Sequence, residues 1–370
     1  MGKEFKIFIR CLTMSFCFGI TALNAQIFKD TASLNLIKKG VDSIYNMQFK
    51  YADMVYSKIS EKYPDHPLVT LYKGIEMYWQ NYPLLPTSPI YPSFEEVMRK
   101  CMTKSEKNSS SSNESEYLLA NLCARGLLIS FYANNELHNE VFPLATSTYQ
   151  FIRKSFYFTS YSPDYFFFTG IYNYYREVYP KMHPIYTPLV IFFRKGTRVG
   201  GLEELQKAAS NSILLKAESY SDLSYIFVSY ENDYQQAYSY SKYAHDLCPD
   251  NPEYLSEYIK NLLLIKRYNE AESIMMSKGA LRSNSYFEAQ LLIFKGIIQE
   301  KKYQNNELAE QLYNRGIRDI SAFNAYGHEF EAYAYFGLSR IYGTKGQKEN
   351  KKNFRKEALK LADLKTITFD

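Results

Sequence analysis

Residues able to do chemistry are few in this sequence, and they are dispersed. The five histidines, His66, His138, His183, His245 and His328, stand singly, and no two share a helical turn as ligands of one zinc ion would. There is no His-Glu-x-x-His, no Gly-x-Ser-x-Gly and no phosphate-cradling Gly-x-x-x-x-Gly-Lys, and residues 343 to 348 lack the spacing and the hydroxyl residue. No catalytic residue, metal site or cofactor is therefore expected, and the chain reads as a non-enzyme. Its unusual feature is aromatic: 36 tyrosines and 25 phenylalanines against one tryptophan. The rings are densest over residues 156 to 193, where Tyr172, Tyr174 and Tyr175 precede Arg176 and Glu177. Tyrosine joins an apolar face to a hydroxyl, so these rings could stack on a sugar or sit at a membrane interface. Rings at helical spacing are equally a core signal, and helix packing is the first reading.

Helices must position these groups, and an internal period says how. Tyr234 and Tyr268 lie 34 positions apart, as do Ala237 and Ala271, inside an apolar, tyrosine-rich helical pattern. Gly40 and Gly74 repeat the interval near the start, where a small residue lets a second helix approach closely. A period of this length marks stacked helix pairs, which predicts an all-α solenoid of antiparallel pairs, roughly seven to nine in this length. Helix starts are signalled by Pro67 and Pro252, with Asn251 placed to cap the latter. Ser162 and Pro163 open another helix, and residues 116 to 133 read as a clean amphipathic one. Pro83, Pro86, Pro89 and Pro92 read as an inserted loop before a helix near Ser93, and residues 107 to 115 as a flexible serine and asparagine loop.

Ala244 and Pro249 follow Ala237 by seven and twelve residues, so the segment 218 to 278 resembles a tetratricopeptide repeat. Phe49, Ala52, Tyr56, Ile59 and Pro64 extend the resemblance over residues 33 to 80. Gly296, Tyr303, Ala309 and Tyr313, then Leu338, Tyr342, Ala358 and Leu361, carry it toward residue 365. The resemblance implies a superhelix whose first helices line a concave groove for a protein or peptide partner. In that register Asp222, Ile226 and Ser229 face the groove from one repeat, and Glu253, Ser256 and Lys260 from the next. The lysine and asparagine clamp with which some family members grip a chaperone's acidic tail is missing at these positions. Four regions are expected: a leader over 1–25, repeats with inserted loops over 26–115, a divergent aromatic region over 116–210, and repeats over 211–370.

The leader reads as an export signal. Lys3, Lys6 and Arg10 precede an apolar run over residues 11 to 23, and Ala25 offers a small residue before Gln26, although Leu23 is a poor fit two residues earlier. Its removal, taking Lys3, Lys6, Arg10 and Glu4, lowers the net charge from +5 to +3. Such near-neutrality argues against a nucleic-acid partner. Cys101, Cys123 and Cys248 remain, an odd number with no Cys-x-x-Cys spacing, and read as small apolar residues of helices. The expected protein is an exported scaffold or adapter, periplasmic or associated with the outer envelope, and soluble after cleavage. The alternative is an aromatic-lined binder of carbohydrate or a membrane surface.

Overall fold

Helix starts follow from the capping signals. Asn251 Oδ1 accepts the Glu253 and Tyr254 amides at 3.0 and 3.3 Å, with Pro252 in the first turn. His66 Nδ1 accepts from the Leu68 amide at 3.2 Å ahead of Pro67. Each cap satisfies helix donors that have no intrahelical partner. The computed structural model describes residues 26–107, 113–182, 184, 192–277, 284–362 and 367–370. The expected leader, the serine run over 109 to 112, His183 and Pro188 lie outside these residues.

Sixteen α-helices and no strands occur among the described residues, in eight successive pairs, within the range the period predicts. They are α1 (Thr31–Tyr45) with α2 (Phe49–Lys62), α3 (Pro67–Gln80) with α4 (Tyr91–Lys107), α5 (Glu114–Asn134) with α6 (His138–Ser155), and α7 (Tyr165–Met182) with α8 (Arg198–Asn211). The chain continues with α9 (Lys216–Ile226) and α10 (Tyr234–Leu247), α11 (Pro252–Leu264) and α12 (Tyr268–Ser277), α13 (Ser285–Lys301) and α14 (Asn306–Ile320), and α15 (Ala325–Thr344) and α16 (Lys348–Leu361). Each helix packs on the next in sequence, and toward both ends of the chain the first helix of a pair also packs on the first of its neighbour, α1 on α3, α3 on α5, α11 on α13 and α13 on α15. This is an all-α solenoid.

Four of the turns inside pairs share one geometry. Met47, Glu136, Lys266 and Gly346 all have φ between 55° and 73°. The following amide reaches back over the helix end in each case: Gln48 to Ser43 O, Leu137 to Tyr132 O, Arg267 to Leu262 O and Gln347 to Tyr342 O, at 2.8 to 3.0 Å. A left-handed residue followed by this six-to-one bond is the Schellman motif, which closes a helix and reverses the chain in few residues. Three of the four carry a side chain where glycine is the usual choice, which hid the motif in the sequence.

Glycines let the paired helices cross closely. A Cβ on Gly40 would meet Val55 of α2, and one on Gly170 of α7 would lie 2.9 Å from the Leu205 amide nitrogen of α8. Two expectations are corrected here. The helix opened by Ser162 and Pro163 begins at Tyr165, because Ser162 Oγ and Asp164 organise the turn before it. Asp164 accepts the Ile213, Leu214 and Leu215 amides at 2.8 to 3.1 Å, tying α7 to the connection between α8 and α9. Helix α5 is buried on most of its circumference rather than amphipathic, since α3, α4 and α6 all pack on it. Even its Glu116 is enclosed, and takes the Ile27 and Phe28 amides at 2.9 Å each with His66 Nε2 at 3.1 Å. The helix after the proline-rich loop starts at Tyr91, two residues before Ser93, with Pro92 in its first turn.

The solenoid curls until its two halves touch. Asn251 Nδ2 donates to Tyr45 O at 3.1 Å and Asn46 Nδ2 to Leu247 O at 3.3 Å, across some two hundred residues of chain. Tyr45, Trp79 and Tyr254 form one ring cluster with centroids 5.4 to 6.2 Å apart. Ala217, Ala244, Cys248 and Tyr254 share a core with the first three pairs. Cys101, Cys123 and Cys248 are free thiols, the first and last buried.

Candidate functional site: an acidic and aromatic lumen

Curling turns the concave face of the solenoid into a partly enclosed lumen instead of an open groove. A cavity there has a volume of about 620 Å³, within the range of small-ligand sites. Helix α11 supplies one wall with Glu253, Ser256, Glu257 and Lys260, and α13 and α15 continue it with Tyr286, Gln290, Glu329 and Phe330. The opposite side comes from the first half of the chain. Tyr82, in the proline-rich insertion, puts its ring 6.1 Å from Tyr286 and 6.2 Å from Tyr326. Its carbonyl accepts from Asn284 Nδ2 at 2.9 Å, and Tyr78 and Tyr326 hydroxyls meet at 3.2 Å. The mouth lies where the α5–α6 turn faces the end of α16, with His138 and Lys360 on its rim and Glu136 paired to His328 at 3.0 Å.

The electrostatics of the α9–α11 wall are one-sided. Glu218 and Asp222 are one turn apart on α9, and Glu253 and Glu257 are one turn apart on the adjacent α11. Burial pushes the Asp222 carboxyl up to about 8, with Glu218 and Glu257 adding like charge. Burial also drives Glu253 well above the usual carboxylate range, helped by Glu218, Glu257 and Asp222. Glu257 is raised by burial although Lys260 opposes the shift. Lys260 is the cation of this wall. Burial would lower its pKa, but Glu329, 3.4 Å away, and Glu257 raise it on balance. Glu218 accepts from Tyr45 OH at 2.7 Å and Glu257 from Ser221 Oγ at 3.2 Å. Asp222 and Glu253 receive no hydrogen bond among the described residues. Ser256 is 4 % exposed, borders the cavity, and likewise finds no partner there.

The residues predicted for a groove divide. Glu253, Ser256 and Lys260 line the lumen, and Asp222 stands behind Glu253 and Glu257. Ile226 does not reach it: the side chain is fully buried with Tyr174, Leu205 and Leu223 between α7, α8 and α9. Ser229 sits in a π-helical turn, Phe227–Glu231, that follows α9, outside the cavity lining. Tyr174 is also fully buried, donating to Glu231 Oε1 at 2.6 Å. Tyr172 donates to Arg194 O at 2.6 Å, and Tyr175 packs edge-on against Tyr230 at 5.3 Å. Tyr174 is therefore sealed in the core, whereas Tyr172 and Tyr175 are half-buried and lie outside the cavity lining. The exposed rings of this region are others: Phe142, Tyr157, Tyr161 and Phe192, the last 88 % exposed. Tyr82, Tyr286, Gln290, Tyr326 and Glu329 were missed as lumen residues. The groove register carried one repeat further reaches Gln290, 34 residues after Ser256; Tyr286, Tyr326 and Glu329 fall off the strict period, and Tyr82 is placed by a contact that no local pattern encodes.

Among the described residues no group of three or more His, Cys, Asp or Glu side chains is arranged to hold a metal ion, and no helix is long and apolar enough to cross a membrane. In comparisons with known proteins, the chain matches no family model and no curated protein.

Proposed function

We propose that the protein is a non-enzymatic binding scaffold of tetratricopeptide type, exported and acting in a periplasmic or envelope assembly, which holds a short segment of a protein partner in its lumen. The carrying observation is the cavity itself. It is ligand-sized, walled by rings from both halves of the chain, and lined by the half-buried Glu253 and the buried Ser256, which receive no hydrogen bond among the described residues. Unpartnered buried polar groups cost free energy, and a ligand that satisfies them recovers it. The leader over residues 1 to 25 supports export. Photo-crosslinking tests the reading, with p-benzoylphenylalanine in place of His138 at the mouth or of Met276 on the outer face of α12. A partner protein captured reproducibly from position 138 and not from 276 is expected; equal capture from both refutes a lumenal site.

The exposed rings favour a second reading, docking to a carbohydrate or a membrane surface. Phe142, Tyr157, Tyr161 and Phe192 are all at least 70 % exposed. Flotation with vesicles and sedimentation with envelope polysaccharide test it. Loss of binding on replacing Tyr157 and Tyr161 by serine is expected, and no binding in either assay removes the reading.

A further inference from the structure

We infer that the lumen recognises a cation: an ammonium or guanidinium group, carried by a lysine or arginine of the partner segment, which enters between the rings and settles against Glu253 and Ser256. The inference rests on the binding-scaffold reading and adds the chemistry of what is bound.

Three independent features of the cavity point the same way. Charge is the first. Glu253, Glu257 and Glu329 line the cavity beside Lys260, whose ammonium Glu329 already engages, with Glu218 and Asp222 close behind and Lys360 out on the rim. Burial and crowding raise the Asp222 and Glu253 carboxyls, so a cation brought beside Glu253 favours its ionised form, whereas an anionic ligand would oppose it. Unused hydrogen-bonding capacity is the second. Glu253 accepts from no donor among the described residues, and Ser256, one turn along the same face, is 4 % exposed, borders the cavity and makes no side-chain hydrogen bond there. An ammonium carries three donors and a guanidinium five, so either can serve carboxylate and hydroxyl together. The third is the ring cluster that Tyr82, from the opposite side, forms with Tyr286 and Tyr326. Tyr82, Tyr286 and Tyr326 present rings within about 6 Å of one another, as ring-centroid separations of 6.1 to 6.2 Å show. Such a surface accepts the alkyl stem of lysine or arginine and attracts its charged head through the ring faces.

Calorimetric titration of the purified protein tests this with defined probes: spermidine, and three hexapeptides identical but for a central lysine, norleucine or glutamate. The lysine peptide should bind at least tenfold more tightly than the other two, and Glu253→Gln should weaken it by roughly ten- to a hundredfold. Glu253→Gln removes one of four crowded carboxylates, so the variant should remain folded, and circular dichroism checks that. Ser256→Ala serves as a second variant, with a smaller loss expected. If spermidine binds, Glu253→Gln abolishes that binding and none of the peptides binds, cation recognition stands and the peptide reading falls. If the norleucine or glutamate peptide binds as well as the lysine peptide and Glu253→Gln changes nothing, the cation inference is overturned while the peptide reading stands. If neither spermidine nor any peptide binds, both fall.

Discussion

Replacing Gly201 by alanine should destabilise the protein, whereas the same change at Gly126 should stabilise it, and the difference follows from what each new methyl group would meet. Gly201 lies in α8 where it crosses α7, and a Cβ there would stand 2.7 Å from both Cα and Cβ of Tyr174. Ordinary van der Waals contact begins near 3.4 Å, so the two helices must separate by several tenths of an ångström. Tyr174 cannot swing away, because the contact is to its backbone, and its buried hydroxyl is held by Glu231. Overpacking of this kind costs about 1–3 kcal/mol, and backbone on both sides puts it at the upper end. Alanine returns about 1 kcal/mol through its better helix propensity, leaving a net loss of about 2 kcal/mol. Gly126, inside α5, has no heavy atom within 4 Å of its prospective Cβ. There the propensity term acts alone and Gly126→Ala should gain about 0.5–1 kcal/mol. Urea unfolding followed by circular dichroism at 222 nm measures both against the parent. A Gly201→Ala protein as stable as the parent would refute the close crossing of α7 and α8, and a destabilised Gly126→Ala would refute the open space beside α5.

Asn251→Ala should cost about 2–3 kcal/mol in the same assay. It removes the cap of α11 and also orphans the buried Tyr45 carbonyl, while Asn251→Asp should restore the cap and not the donor. Lys266→Gly should stabilise by about 1 kcal/mol, and Gly346→Ala should destabilise by a similar amount, since both positions are left-handed. Asp222 titrates in the folded protein at about 8, well above an ordinary carboxyl, so the folded state holds a proton that the unfolded chain releases. Stability should therefore decline as pH rises from about 4 to 8 and level off above. The groups facing Asp222 are Glu218 on its own helix, Glu253 and Glu257 on α11, and Tyr175 on α7. Asp222→Asn should flatten this slope, gaining about 1–3 kcal/mol at pH 8 after allowance for solvent in the lumen, as urea midpoints from pH 5 to 9 would reveal. An unchanged slope in the variant would remove Asp222 as its source.

What the sequence determined by itself was local and periodic. Helix pairs repeat because Ala237 and Ala271, or Gly40 and Gly74, must be small wherever a second helix crosses, and steric need of that kind recurs at a fixed interval. Caps such as Asn251 before Pro252 were legible because their bonds span two or three residues. Three lumen residues, Glu253, Ser256 and Lys260, followed from the same register. The small rotation between successive pairs is a different matter, for it is set by how whole helix faces interlock and accumulates over eight units. Only that sum decided that α1 and α3 meet α9 and α11, that Tyr82 crosses to Tyr286 and Tyr326, and that an expected open groove is a lumen. It also decided that Ile226, offered to the groove by register, and Tyr174, offered to a ligand by the cluster of rings, are sealed between α7, α8 and α9. Contacts between residues some two hundred positions apart leave no period in a sequence, since either partner alone satisfies every local rule.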